Sequence, residues 1–389
     1  MKTKLQLSRW LMVIILSVSA LDLLAQPYPN QGPQTVCLNS NEPYGVLPNT
    51  GSTYTWSIIP ASGGTITGSS NTISVHWTVA GTYTLQVAEK NSLGCDGNPI
   101  TITVTVLPLL QAGTAAADQT ICYNSVPEPL TSVNATGGTG SYTYQWDSSP
   151  DGSTWAPITG ATTAGYSPAA LTATTYYRLH QTSGTCGTVT TNTVKITVQS
   201  NLVAGSVAAG QTICYNTVPS ALTSVNPTGG TGTYTYQWDS SPDGSTWAPI
   251  SGATTAGYAS AALTATTYYR LNQTSGTCGT VITNTVKITV NPLPVPTITG
   301  DTPVCVTTSG SVYTTEAGMT NYSWIVSAGG TITAGGTATS NTVTVTWNSA
   351  GPQSISVNYI NANTCTATTP TVATITVNAL PATSPIYHN

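Results

Sequence analysis

The sequence contains no phenylalanine, only three histidines and very little charge. Of its 389 residues, 5% are Asp, Glu, Lys or Arg. Thr, Ser, Gly, Val, Ala and Tyr dominate instead, and these residues favour strands and turns over surface helices. No stretch of ten or more residues beyond the N-terminus has the 3.6-residue period of an amphipathic helix. These absences predict an all-β protein.

Basic residues are especially scarce. Residues 1–25 hold three of the eight basic and one of the twelve acidic residues, so five basic and eleven acidic residues remain, a net charge of −6. Nucleic-acid binding needs clustered cations that displace counterions from phosphates. We therefore expect no nucleic-acid partner. Apolar residues still alternate regularly with polar ones, which indicates a folded core rather than disorder.

Groups that could carry catalysis are also rare. The histidines are His76, His180 and His388, and no motif places any of them beside a Ser or Cys nucleophile. No Cys-x-x-Cys motif or Cys and His cluster indicates zinc. We predict no catalytic, cofactor-binding or metal-binding residues, no cofactor and no enzymatic activity.

The N-terminus has the features of a secretory signal peptide. Lys2, Lys4 and Arg9 precede an apolar run from Trp10 to Ala20, which is too short for the ~18 to 20 residues of a membrane span. Cleavage is expected after Ala25, with Ala20 as the alternative. No later segment is apolar enough to span a membrane, so we expect none in the mature chain.

One module of the chain occurs twice. Residues 110–198 and 202–290 align at a constant offset of 92 residues with 75 of 89 positions identical. Such a repeat defines the length of the folding unit. Two flanking segments of similar length resemble each other through the spacing of their cysteines and tryptophans, so the pattern is A-B-B-A.

The repeat divides the chain into six segments. A tail after residue 378 is similar to the linker at 291–296, and we expect the chain to be part of a longer array or a truncated reading frame. The predicted segments are the signal peptide 1–25, modules 26–107, 108–199, 200–291 and 292–378, and the tail 379–389.

Short strands with period-two alternation and Gly or Pro turns fill every module. Tyr142, Tyr144 and Trp146 fall on one strand face, as do Val194 and Ile196. This pattern predicts an antiparallel β-sandwich in each module, with two tryptophans in each core.

The eight cysteines fall two to a module, 58, 64, 64 and 60 residues apart. An even count in an exported protein indicates disulfides. Pairing within each module lets every repeat fold alone, and free buried thiols are the alternative. The expected pairs are Cys37 with Cys95, Cys122 with Cys186, Cys214 with Cys278 and Cys305 with Cys365.

Two carboxylate pairs recur in the central modules, namely Asp147 with Asp151 and Asp239 with Asp243. Each pair flanks a Ser-Pro-Asp-Gly hairpin turn. We expect solvated turns, with weak calcium binding as the open alternative, because calcium requires six to eight oxygen ligands.

Aromatic residues raise the possibility of carbohydrate stacking. Most of the Trp and Tyr residues alternate with polar residues and belong to buried faces. Tyr123 and Tyr176 are the rings that we expect to be exposed.

Several motifs support a family resemblance. The central modules, with Ile121-Cys122-Tyr123-Asn124, Tyr142-Thr143-Tyr144-Gln145-Trp146 and Leu171-Thr172-Ala173-Thr174-Thr175-Tyr176-Tyr177-Arg178, resemble Ig-like repeats of large surface and secreted proteins of Bacteroidetes. The outer modules, with Tyr54-Thr55-Trp56-Ser57 and Tyr322-Ser323-Trp324, are similar to PKD-like modules of those proteins. They lack the acidic Gly-Asp-Gly signature of better-known PKD domains.

The resemblance implies a secreted, adhesin-type setting at the bacterial cell surface. We expect a non-enzymatic stalk or adhesive segment whose partner is an unknown extracellular protein or glycan. The alternative is an accessory glycan-binding or protein-binding array attached to a larger secreted enzyme.

Overall fold

The computed structural model describes residues 32–306 and 310–386. The predicted signal peptide, residues 1–25, lies outside the described residues. The described residues divide into two compact units, one that ends at Val198 and one that begins at Gln199. Each unit contains two of the predicted modules, which we number one to four along the chain. Within the described ranges, no helix is long and apolar enough to cross a membrane.

Module one is a sandwich of a four-stranded and a three-stranded sheet. Its strands are β1 Gln34–Cys37, β2 Asn41–Gly45, β3 Thr53–Ile59, β4 Gly64–Thr67, β5 Thr72–Trp77, β6 Gly81–Lys90 and β7 Ile100–Leu107. The larger sheet has the order β1-β7-β6-β3 and the smaller one β2-β5-β4. Along β5, the buried residues Ile73, Val75 and Trp77 alternate with half-buried ones, as the period-two pattern predicts.

Module two has one complete sheet and a less regular second layer. Its strands are β8 Gln119–Ile121, β9 Thr143–Ser149, β10 Ala156–Pro157, β11 Thr175–Thr182, β12 Thr188–Thr190 and β13 Val194–Val198. The sheet order is β10-β9-β11-β13-β8, and β12 pairs with β11. The second layer consists of isolated bridges such as Leu130 with Tyr166. Pro127 and Pro129 lie in this layer, and proline has no amide hydrogen to continue a ladder.

Module three repeats this arrangement. Its strands are β14 Gln211–Cys214, β15 Thr235–Ser241, β16 Ala248–Pro249, β17 Thr267–Thr274, β18 Thr280–Ile282 and β19 Val286–Asn291. They are ordered β14-β19-β17-β15-β16, with β18 paired to β17.

Module four returns to the two-sheet plan of module one. Its strands are β20 Thr299–Gly300, β21 Val304–Cys305, β22 Ser311–Thr314, β23 Thr320–Val326, β24 Gly330–Gly335, β25 Thr342–Trp347, β26 Gly351–Ile360 and β27 Thr371–Asn378. The two sheets are β20-β22-β25-β24 and β21-β27-β26-β23.

An early strand of each module pairs parallel with its last strand. The pairs are β1 with β7, β8 with β13, β14 with β19 and β21 with β27. We call the end of a module where its last strand finishes the distal end, and the opposite end the proximal end. Cys37 lies opposite Leu107 and Cys214 opposite Asn291, so both cysteines are at distal ends. The predicted all-β sandwich array is confirmed, with this parallel pair as an addition.

Each module has its own hydrophobic cluster around one fully buried indole. The four indoles are those of Trp77, Trp146, Trp238 and Trp347. Trp324 is also buried in module four. The prediction of two core tryptophans is wrong for modules two and three, because Trp155 and Trp247 stack on arginines outside the core clusters.

Every buried indole N–H is satisfied. Trp146 donates to the carbonyl oxygen of Thr163 at 3.1 Å, and Trp238 donates to that of Thr255 at 3.0 Å. In the outer modules, Trp77 and Trp347 donate to tyrosine hydroxyls instead. The buried polar atom of each indole therefore carries no unpaired desolvation cost.

The two tryptophans of module two should differ in their contribution to stability. Trp146→Ala opens a cavity in the core and should lower the free energy of unfolding of module two by about 3–5 kcal/mol. Trp155→Ala removes a half-buried ring and a cation–π contact and should cost about 1 kcal/mol. Hydrogen exchange of peptides from residues 111–198 measures both, and equal losses would contradict this assignment of the core.

Candidate functional site

Two disulfides join neighbouring modules. Cys37 bonds Cys186 with a Cα–Cα distance of 5.3 Å, and Cys214 bonds Cys365 with a Cα–Cα distance of 5.6 Å. The predicted pairs within modules, Cys37 with Cys95, Cys122 with Cys186, Cys214 with Cys278 and Cys305 with Cys365, are therefore wrong. Cys122 and Cys278 are also disulfide-bonded. Cys95 is exposed and lies outside any disulfide.

The parallel pairing of β1 with β7 explains why Cys37 is not bonded to Cys95 of the same module. Cys37 is level with the end of β7, whereas Cys95 precedes the start of β7. At about 3.3 Å per residue, an eight-residue strand separates them by roughly 25 Å. A disulfide requires Cα atoms about 4.4–6.8 Å apart. Cys37 is therefore too far from Cys95 for a disulfide and bonds Cys186 of module two instead.

The partner cysteine lies in a tight turn of the following module. Cys186 ends the 3-10 turn Gly184–Cys186, and its amide donates to the carbonyl oxygen of Ser183 at 2.9 Å. Gly184 and Gly187 bracket the turn with φ of 48° and 94°, values that favour glycine. The turn sits between β11 and β12, where it contacts β1 of module one.

Asp151 and its copy Asp243 close hairpin turns. Oδ1 of Asp151 accepts hydrogen bonds from the amides of Thr154 at 2.7 Å and Ser153 at 2.8 Å, and from the Ser149 hydroxyl at 2.9 Å. The backbone amides of Thr154 and Ser153 hold the pKa of Asp151 well below its usual range. Asp151 and Asp243 are exposed, as the sequence predicts, and their hydrogen bonds organise the turn.

Asp147 has a different role from Asp151. It is only 6% exposed, and its Oδ2 lies 3.0 Å from Nη2 and 3.1 Å from Nε of Arg178. Nε2 of His180 lies 2.8 Å from the same oxygen. The prediction of a solvated turn is therefore wrong for Asp147 and likewise for Asp239, which is also 6% exposed.

Cations and aromatic rings line the outer face of the sheet in both central modules. The Arg178 guanidinium lies 4.3 Å from the ring centroid of Trp155, and Nζ of Lys195 lies 5.8 Å from that of Tyr176. Both distances recur in module three. We call these surfaces the cation–aromatic faces, formed by Asp147, Trp155, Tyr176, Arg178 and Lys195 in module two and by Asp239, Trp247, Tyr268, Arg270 and Lys287 in module three.

The cation–aromatic faces hold most of the positive charge. Four of the five basic residues that follow residue 25 are on these faces. Strand register brings them together, because Arg178 pairs with Asp147 and Tyr176 with Lys195 on adjacent strands. Sequence spacing alone does not show that these residues share one surface.

The twin faces differ at one position beside the carboxylate. His180 contacts Asp147, and its Nδ1 lies 2.9 Å from the Thr190 hydroxyl oxygen. Module three has Asn272 here, which donates to the Gln237 carbonyl oxygen at 3.2 Å. Arg270 is thus the basic residue paired with Asp239. The arginine is the part of the arrangement that both modules share.

The exposure of the tyrosines differs from the expectation at one of two positions. Tyr176 is half-buried, and an added Cβ on Gly152 would lie 3.5 Å from its ring, so the prediction that Tyr176 is exposed is wrong. Tyr123 is 42% exposed, as predicted, and its copy Tyr215 is 47% exposed.

A cleft of about 680 Å³ opens in module one. Its lining includes Tyr44, Trp56, Asn49 and Glu89. The side-chain Nδ2 of Asn49 donates to Oε1 of Glu89 at 2.7 Å, and the indole N–H of Trp56 donates to the carbonyl oxygen of Ser70 at 2.9 Å. Its volume is in the range of ligand sites, with aromatic and polar groups together. The alternation of residues in β3 predicts a core position for Trp56, whereas the ring is half-buried at this cleft.

Among the described residues, no group of three or more His, Cys, Asp or Glu side chains could hold a metal ion.

The fold and the four separate cores define a tandem array of Ig-like β-sandwich modules. A family model described as a PKD-like domain matches residues 23–106 and 291–377. A second, described as Domain of unknown function (DUF8696), matches residues 111–200 and 203–292. No curated protein matches the chain.

Several solved structures are similar to the chain in fold. An I-band fragment of titin has 12% identity and a TM-score of 0.41, covering 67% of this chain and 96% of that one. A Ca²⁺-stabilised adhesin that helps an Antarctic bacterium bind ice has 13% identity and a TM-score of 0.40, covering 88% and 96%. The human desmocollin-1 ectodomain has 11% identity and a TM-score of 0.28, covering 92% and 79%. These values are too low to carry an argument about function.

Removing the shared arginine should affect module three more than module two. Arg270→Ala leaves the buried Asp239 without its basic partner and should destabilise module three by about 3–4 kcal/mol. Arg178→Ala should cost about 1–3 kcal/mol, because His180 still contacts Asp147. Hydrogen exchange of the two modules measures this difference.

The control for the arginine variants is Lys195→Ala. Its Nζ lies 5.8 Å from the Tyr176 ring centroid, a weaker contact than a buried ion pair, so we expect a loss below about 1 kcal/mol. Adding Asn272→His to Arg270→Ala should restore part of the lost stability. Equal losses in Arg178→Ala and Arg270→Ala would show that His180 gives no support.

Proposed function

We propose that this chain is a non-enzymatic structural and adhesive stalk segment of a bacterial cell-surface protein. The observation that carries the proposal is the disulfide between consecutive modules in each unit. A bond inside a module stabilises that module, whereas a bond across a junction restrains the angle between two modules. Restraint of that angle is what a load-bearing spacer requires.

The size of the closed loops supports the same role. The bonded cysteines are separated by 149 residues in the first unit and 151 in the second. In the chain-entropy model, closing a loop of this length stabilises the linked state by about 5 kcal/mol. A load applied to the two ends of the unit then passes through the disulfide, so the residues between the bonded cysteines are not extended when a module unfolds.

The disulfides are consistent with an extracellular spacer. Disulfides persist in oxidising compartments, and the predicted signal peptide directs the chain to one. We propose four modules at 26–107, 108–199, 200–291 and 292–378, after a signal peptide at 1–25. The description of neither matching family names a reaction. The proposed partner is an extracellular protein or glycan.

The stalk proposal predicts a junction held rigid by its disulfide. Spin labels introduced as unnatural amino acids at exposed Ser69 and Thr172 should give a narrow distance distribution by pulsed electron resonance. Replacing both Cys37 and Cys186 by Ser should broaden that distribution, because only noncovalent contacts then hold the angle.

Cys214→Ser with Cys365→Ser is the matched control in the other unit. With the labels still at Ser69 and Thr172, this variant should leave the distribution unchanged. A distribution already broad in the unmodified chain would rule out a rigid spacer.

The cleft in module one favours a second candidate function, an accessory glycan-binding or protein-binding array of a larger secreted enzyme. Trp56 is half-buried at this cleft, whereas its counterpart Trp324 is 7% exposed. Half-exposed rings next to paired polar groups are suited to stacking on a sugar. This candidate needs a ligand, whereas the stalk does not.

A glycan array separates the two functions. The binding candidate predicts reproducible retention of one glycan class that Trp56→Ala abolishes and that Tyr123→Ala leaves unchanged. Tyr123 is the control because it is exposed but lies outside the cleft. The absence of binding across the glycan array would leave the spacer role alone, and binding that survives Trp56→Ala would show that the cleft is not the binding site.

A further inference from the structure

The loop that carries Cys95 has the same hydrogen bonds as a loop that is already disulfide-bonded. Oδ1 of Asn91 accepts hydrogen bonds from the amides of Leu93 at 3.0 Å and Cys95 at 2.9 Å. In module four, Oδ1 of Asn361 accepts from the amides of Asn363 and Cys365, both at 3.0 Å. The amide of Asn91 donates to the Cys95 carbonyl oxygen at 3.0 Å, and that of Asn361 donates to the Cys365 carbonyl oxygen at 2.9 Å.

The backbone of the two loops also agrees. Gly94 has a φ of 85°, and Thr364 at the matching position has a φ of 62°. A β-branched residue rarely adopts this left-handed conformation, so the loop shape is imposed by its hydrogen bonds rather than by glycine. Both loops therefore present their cysteine in the same way, although only the cysteine and the asparagine are common to their six residues.

The two cysteine loops occupy the same place in the module. Cys95 lies between β6 and β7, and Cys365 lies between β26 and β27. Both precede the last strand and are thus at the proximal end. Cys365 bonds Cys214, which is at the distal end of the module before it. Cys186 bonds Cys37, another distal cysteine, in the same direction.

The two cysteines differ in exposure. Cys365, which is bonded to Cys214, is 1% exposed, whereas Cys95 is exposed. Leu93 beside it is 87% exposed. An apolar side chain and a thiol are therefore uncovered together at the proximal end of module one.

We propose that the Cys95 loop is a disulfide docking site for the distal cysteine of a further β-sandwich module. The partner is a module whose first cysteine is at the distal end. Like Cys37 and Cys214, this cysteine ends a strand that pairs parallel with the last strand of its module. This proposal goes beyond the stalk function and rests on two observations, the shared loop geometry and the bond that the matching Cys365 makes with the distal Cys214. The bond would link the proximal end of module one to that further module.

The chemistry is a thiol–disulfide exchange with a small disulfide such as oxidised glutathione as the oxidant. The Cys95 thiolate attacks one sulfur of that disulfide and releases one glutathione thiolate. The partner thiolate then attacks the Cys95 sulfur, forms the new disulfide and releases the second glutathione thiolate. Two protein thiols lose two electrons, and the small disulfide gains them.

A loop graft in the full chain tests whether the Cys95 loop can take a distal cysteine. Ala362→Ser, Asn363→Leu, Thr364→Gly and Thr366→Asp give module four the loop of module one around Cys365. Mass mapping without reduction should still find Cys365 bonded to Cys214. If Cys365 in the grafted loop reacts with iodoacetamide in the folded chain, the proposal fails.

An extended chain tests Cys95 itself. A second copy of residues 200–296 is fused directly before Gln26 of the mature chain. The extended protein is then equilibrated in a glutathione redox buffer. We expect Cys95 to lose its reactivity with iodoacetamide and to be linked to the Cys214 of the added copy. The same extension carrying Cys95→Ser should leave the added cysteine reactive.

Two results would overturn the proposal. One is a folded extended chain in which Cys95 remains as reactive as in the unextended protein. The other is a Cys95 adduct with glutathione only, which would show an adventitious small-thiol modification. Because the loop graft does not use the extended chain, misfolding of that chain still leaves the graft to decide whether a loop of this sequence accepts a distal cysteine.

Discussion

The parallel pairing of an early strand with the last strand is the constraint on which the covalent structure depends. It carries the first cysteine of a module to the distal end, whereas the second stays in a proximal turn or loop. A disulfide spans only about 4.4–6.8 Å between Cα atoms. The two cysteines of one module therefore cannot meet, and Cys37 and Cys214 bond the modules that follow them.

Three kinds of interaction act at three levels of this structure. Burial of an indole such as Trp146 stabilises one module by a few kcal/mol, since its loss leaves a core cavity. The cation–aromatic faces act across strands of one sheet, where Arg178 and Arg270 balance buried carboxylates. The disulfides act between modules. Each module thus keeps its own core, while its orientation to a neighbour within the unit is restrained covalently.

The near-identical central modules show how small changes alter one site and preserve another. His180 and Thr190 contact each other in module two, and Asn272 and Ile282 replace both residues in module three. The arginine–carboxylate pair and its stacked tryptophan persist in both. Because the arginine compensates a buried charge, it stabilises each module in which that carboxylate is buried.

The sequence by itself determined the all-β class, the length of the repeat and the buried faces of most strands, since these depend on local periodicity and turn residues. Only the tertiary structure decided the partner of each cysteine, because that depends on whether an early strand runs parallel or antiparallel to the last one. It also separated Trp146 from Trp155 and Asp147 from Asp151. The alternation of apolar and polar residues assigns a residue to one face of a strand. Whether that residue is buried depends on which other segments of the chain cover that face.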